Sequence, residues 1–198
     1  MHIFEKNGII NNMKRFFALF FTFIFLCATV VFADTIRYNP QRIKVYIPPK
    51  NTLTPAMQHA FADWQRHLNN KISFEYVGTK STANIEVVFV ENTNNEISKI
   101  CNKEALGCNV QKIAQTSRGN QKCVDSKIYV SKRDNKGRIM TPNETYTIML
   151  HEIGHAIGLE HSSDPTSLMY EGTNRNWANS QEIRQDDVQN VIKIYGLK

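Results

Sequence analysis

"HEIGHAIGLEH" spans residues 151 to 161. Three of the chain's six histidines fall in these eleven residues. His151 and His155 are four apart, so on a helix both imidazoles project from one face. That spacing lets two ring nitrogens reach one metal ion at about 2.0–2.1 Å. A third ligand at position 161 cannot share that face if the helix continues. Gly158 solves this, because glycine takes the left-handed conformation that stops a helix and turns the chain. His161 then returns to the ion from the side. Three neutral nitrogens favour zinc and leave a fourth position for water, which marks a catalytic site. Glu152 adjoins the first ligand and is not itself one. It is placed to take a proton from a zinc-bound water and deliver it to a leaving amine. At ordinary residue frequencies, five specified positions match by chance in a chain of this length about once in 10⁵.

The sequence just upstream supports a helix. Thr141-Pro142-Asn143-Glu144 is a capping box with proline at the first helical position. The helix is expected from about Pro142 to Leu159. Asn143-Glu144-Thr145 also fits a glycosylation sequon, but the capping box already explains these residues. "RIKVYI" (42–47) alternates and reads as a strand ended by Pro48 and Pro49. Thr54 reads as the cap of a helix with Pro55 at its first position, over 55–69. Met57, Ala60, Phe61, Trp64 and Leu68 share one face of it. "KISFEYV" (71–77) and "NIEVVFVE" (84–91) read as strands, the second apolar enough to be central. Residues 92–107 read as loop. "CNVQKIAQTS" (108–117) and "CVDSKIYVSK" (123–132) read as paired strands around a turn at Arg118-Gly119-Asn120. A last helix begins near Gln185, with Asp186 and Asp187 at its positive end. Val188, Val191, Ile192 and Tyr195 form its apolar face, and Gly196 ends it.

Residues 16–33, "FFALFFTFIFLCATVVFA", follow Lys14 and Arg15 and close on Val31-Phe32-Ala33. This reads as a secretory signal peptide over 1–33, with cleavage after Ala33 and a secreted or periplasmic product. The competing reading is a membrane-spanning helix; the N-terminal position and small-residue exit favour cleavage. Residues 34–198 are then one domain. Three basic residues and one acidic residue precede Ala33, which leaves +4 of the chain's +6. That charge is spread along the chain and forms no nucleic-acid patch. Three cysteines remain after Ala33. Export permits a disulfide, and the odd count allows at most one within the chain. Without paired CxxC spacing they do not suggest a cysteine zinc site.

The motif HExxHxxGxxH followed by a methionine turn is the metzincin signature, and "SLMY" (167–170) supplies Met169. Ser162 follows the third histidine, where astacins carry Glu, adamalysins Asp and serralysins Pro. "HSSDPTSLMY" resembles the matrixin (matrix metalloproteinase) pattern. The 42–47 strand, the Trp64 helix, "ISFEYV" and "ANIEVVFV" follow the order of a matrixin catalytic domain, and "IRQDDVQNVIKIYG" resembles its last helix. The resemblance covers nearly all of 34–198, with 151–170 its most specific part.

What the resemblance implies is an α+β, metzincin/zincin-like fold. A twisted five-stranded mixed sheet and two helices would form an N-terminal subdomain. A small C-terminal subdomain would end in a helix. Met169 would floor the three imidazoles without being a ligand; an ordinary core methionine is the plainer alternative. Substrate would pair with the edge strand and drop a side chain into a pocket behind the zinc. Thr147, one turn before His151, would help set that pocket's depth, and 171–182 would form its outer wall. In matrixin sheet order, the 84–91 strand runs parallel beside 123–132. Cys101 would then meet Cys108, leaving Cys123 free as a buried small hydrophobe or, less simply, a zinc-blocking thiol.

The departures from the pattern are specific. Matrixins usually carry a second zinc, but His59 and His67 lie on the polar side of the first helix and read as solvated. One catalytic Zn²⁺ is expected. Calcium is possible for the family, but no calcium loop is visible. No PRCGxPD-type switch is present, and Glu171 stands where proline is usual. The leading function is a secreted zinc-dependent endopeptidase, a monomer acting on protein or peptide substrates without nucleic acid or membrane partners. The alternative is a zinc-stabilised extracellular binding module or an inactive protease homologue; the intact Glu152 argues against it.

Overall fold

A computed structural model of the chain describes residues 38–93, 95–101, 105–115, 121–171 and 182–198. The expected signal peptide, the expected turn at 118–120 and most of the expected pocket wall at 171–182 lie outside the described residues.

Five strands form one mixed sheet: β1 (Ile43–Tyr46), β2 (Phe74–Tyr76), β3 (Ile85–Val90), β4 (Gly107–Gln115) and β5 (Gln121–Ser131). Their order is β2-β1-β3-β5-β4. Every neighbouring pair is parallel except β4 with β5. The apolar 84–91 segment is therefore the middle strand, as its composition predicts. It is sealed on one face only. Ile85 and Val87 are buried, while Glu86 on the other face meets Lys80 and Lys127 at 2.9 and 3.0 Å.

Four helices accompany the sheet among the described residues: α1 (Thr54–His67), α2 (Glu96–Ile100), α3 (Pro142–Ala156) and α4 (Gln185–Tyr195). Met57, Phe61 and Trp64 of α1 and Ile148, Met149 and Ile153 of α3 are fully buried. They share one core with Ile43, Val45, Ile85, Val87, Ile128 and Val130 of the sheet. Fully burying such a side chain stabilises the fold by about 1.5–3 kcal/mol, so this layer dominates the packing.

Three expectations need correction. Thr54 does not cap α1. Leu53 holds that position without a side-chain bond, and the Thr54 hydroxyl donates to the Pro48 carbonyl at 2.5 Å. A turn at Pro49-Lys50 follows that carbonyl. Next, α1 stops at His67 rather than 69, because Asn69 and Asn70 adopt positive φ of 50° and 58°, a conformation asparagine tolerates. Finally, the 92–107 stretch is not all loop. Its five-residue α2 starts where the buried Asn92 side chain accepts from the Ile97 amide at 3.2 Å.

The cysteine pairing expected from matrixin sheet order is present: Cys101 is bonded to Cys108, with Cα atoms 6.1 Å apart. It joins the end of α2 to the start of β4. Cys123 is buried outside the disulfide, its sulfur 3.2 Å from the Tyr38 hydroxyl.

Candidate metal centre

The helix that carries the first two histidines starts as its sequence dictates. Thr141 Oγ1 accepts from the Glu144 amide at 3.3 Å, and Glu144 accepts from the Thr141 amide at 2.7 Å. Arg138 grips the same carboxylate with two bonds of 2.9 Å. These partners, Arg138 first, hold Glu144 well below its ordinary value, at about 2.

Helix α1 fixes α3 from behind. The Trp64 indole donates to the Leu150 carbonyl at 2.9 Å, and Tyr146 Oη donates to Asp63 at 2.5 Å. Burial, helped by the bond to Asp63, pushes the Tyr146 phenol up.

At the other end α3 stops at Ala156, three residues earlier than Leu159. Gly158, at φ +110°, turns the chain there, and its amide bonds the His155 carbonyl at 2.9 Å. His161 thereby comes back onto the face of His151 and His155. Nε2 of His155 lies 3.1 Å from Nε2 of His151 and 3.0 Å from Nε2 of His161. In a tetrahedral zinc site, ligand nitrogens stand about 3.3 Å apart; these two separations are close to that, and the ligand atoms of all three histidines lie within 4.8 Å of one another. This is the one cluster of metal-ligating side chains among the described residues.

The opposite ring nitrogens explain the convergence. Nδ1 of His151 lies 2.7 Å from the Leu168 carbonyl, and Nδ1 of His155 lies 2.7 Å from the Leu159 carbonyl. An Nδ1–H donated to a carbonyl leaves Nε2 as the free lone pair. Burial pushes the His155 imidazolium down, which favours the neutral ring a metal needs.

Met169 is buried beneath the same helix. A Cβ on Gly154 would come within 2.6 Å of its sulfur and 3.3 Å of Trp64. Met169 thus packs into a notch in α3 that only glycine leaves. Its loop is held by Ser162 donating its amide to the Met169 carbonyl at 2.8 Å.

Glu152 is almost fully buried on α3. The backbone of β4 lies against it: a Cβ on Gly107 would sit 2.6 Å from Ile148 and 3.1 Å from Glu152. Further along β4, Gln111 donates to the His155 carbonyl at 2.8 Å. Thr147 is wholly buried, and its hydroxyl finds no hydrogen-bond partner among the described residues. His59 and His67 are exposed on α1, outside the cluster.

Reading by sequence missed Gly107, Gly154, Gln111 and the two carbonyls. A glycine opening a strand is a recognised sign of close backbone approach, so Gly107 had a signal. A glycine inside a helix is a weaker one.

A family model described as Matrixin matches residues 33–196. Matrix metalloproteinase-16 of Homo sapiens is 41% identical over 54 residues, which is 27% of this chain and 9% of that protein. A probable matrix metalloproteinase 095L of Invertebrate iridescent virus 3 is 45% identical over 58 residues, 28% of this chain and 15% of that protein. Metalloendoproteinase 1 of Glycine max is 25% identical over 148 residues, 74% of this chain and 47% of that protein. In each case the chain spans less than half of the relative's own length.

Proposed function

This chain belongs to the matrixin family, and on that premise we propose that it is an exported zinc-dependent endopeptidase. Matrixins use a catalytic zinc, and His151, His155 and His161 form a triad able to hold it. The observation that carries the reading is the convergence of three Nε2 atoms beside a buried carboxylate on the same helix.

Held by His151, His155 and His161, a zinc ion would supply a water with a pKa near 7 and a Lewis acid for the scissile carbonyl. Glu152 accepts the proton of the attacking water and passes it to the leaving amine nitrogen. The products are a carboxylic acid and an amine, with no covalent enzyme intermediate. Gly107 keeps the β4 backbone close to Glu152 and so restricts the carboxylate. The outer edge of β4 is unpaired among the described strands, and Val110 and Ile113 are exposed on it. That edge suits an extended peptide adding as a further strand. Thr147 would help shape the side-chain pocket. The 1–33 segment would direct export and be removed, leaving a monomer acting on peptide substrates.

The test is Glu152→Ala. Zinc content and fold should be retained, since Glu152 is not a ligand. Peptide cleavage should fall by about 10²–10⁴. Wild-type-like cleavage by that variant would refute the mechanism. Loss of zinc as well would refute the assignment of Glu152 outside the ligand set.

A further inference from the structure

Two of the three histidines hold their second ring nitrogen against a main-chain carbonyl. The third does not. Nδ1 of His161 lies 3.3 Å from Oε2 of Glu171. The backbone builds this placement. The Ser162 amide bonds the Met169 carbonyl, and Ser162 and Tyr170 form a parallel bridge. These contacts hold the two segments together, and the His161 and Glu171 side chains meet across them.

We propose that Glu171 is a positioning residue for the metal centre: its carboxylate accepts the Nδ1–H of His161 and turns Nε2 toward the ion. His161 has particular need of it. The ring sits beyond the end of α3 with 41% of its side chain exposed, whereas His151 is buried within the helix. Helix packing therefore does not fix it. A charged acceptor holds an N–H more firmly than a neutral carbonyl does. Such an outer partner sets the tautomer and orientation of a ligating histidine. The Glu171 side chain is itself 69% exposed, so the pair adds little to folding. Its effect belongs to the metal.

The inference rests on the zinc reading of the triad. Zinc affinity is measured by competition with a chromophoric chelator, in the purified parent and in Glu171→Ala and Glu171→Gln. Metal-free thermal melts are recorded alongside. Glu171→Ala should raise the zinc Kd by about 10–100-fold with an unchanged metal-free melt. Glu171→Gln keeps an acceptor oxygen and should fall between. The visible spectrum of the cobalt-loaded Ala variant should differ from the parent's, reporting a changed ligand field. A Kd within twofold of the parent in Glu171→Ala overturns the proposal, as does equal affinity in the two variants. A parent that binds no zinc refutes the zinc reading instead, so the two failures are distinguishable.

Discussion

Gly154 and Met169 meet so closely that a Cβ on the glycine would stand 2.6 Å from the methionine sulfur. In an exposed helix, Gly→Ala is worth about 1 kcal/mol of added stability. Here the sign should reverse. Met169 is buried, and the added Cβ would also press on Trp64 at 3.3 Å, so relief requires the methionine to re-pack inside the core. Gly154→Ala should cost about 1–3 kcal/mol in chemical denaturation and weaken zinc binding. A more stable variant would show that the floor of the site yields.

The Cys101–Cys108 bond closes a short ring that runs into the first residues of β4, the strand that packs on Glu152. Loop entropy assigns it about 2–3 kcal/mol. The Cys101→Ser/Cys108→Ser double variant should lose that much in urea unfolding. Cleavage should drop as well, because Cys108 adjoins Gly107. Full activity at full stability would leave the bond without a role.

Glu144 supplies the pH dependence. Its folded value of about 2 lies below the ordinary 4.5, chiefly through Arg138. A lowered carboxylate value means the contribution is complete above about 4.5 and is lost as pH falls through about 2. In the metal-free protein, Glu144→Ala should cost about 1 kcal/mol at neutral pH as a lost cap. The gap to the parent should close between pH 4.5 and 2. A gap that stays constant with pH would refute the assignment.

Thr147 offers the opposite kind of test. A buried hydroxyl without a partner carries a desolvation penalty of about 1–3 kcal/mol. Thr147→Val preserves the shape and removes the hydroxyl, so it should raise the thermal midpoint. A lower midpoint would mean that the hydroxyl has a partner, such as a buried water.

How far the sequence could be read follows from the range of the interactions. The start of α3 was legible because Thr141 and Glu144 satisfy each other within four residues. Gly158 was legible because a ligand at 161 requires a turn. The pairing of Cys101 with Cys108 followed from the matrixin strand order, not from spacing. What stayed hidden depends on distant partners. The Thr54 hydroxyl looked like a cap until the Pro48 carbonyl competed for it. Helix α2 is too short for an apolar period to form. The Leu159 and Leu168 carbonyls aim two rings, yet a backbone oxygen carries no sequence signature. Gly107 and Gly154 are chosen by what approaches them in space.

Trp64 adds an optical consequence. Its indole is sealed from water, bonded to the Leu150 carbonyl, and packed at the same notch as Met169. The chain has one other tryptophan, Trp177. With Trp177 replaced by phenylalanine, all indole emission would arise beside Gly154, on the helix that carries His151 and His155. A sealed indole fluoresces at shorter wavelength than a wetted one. A red shift would then signal water entering under the metal-binding helix, with no added dye and no substrate.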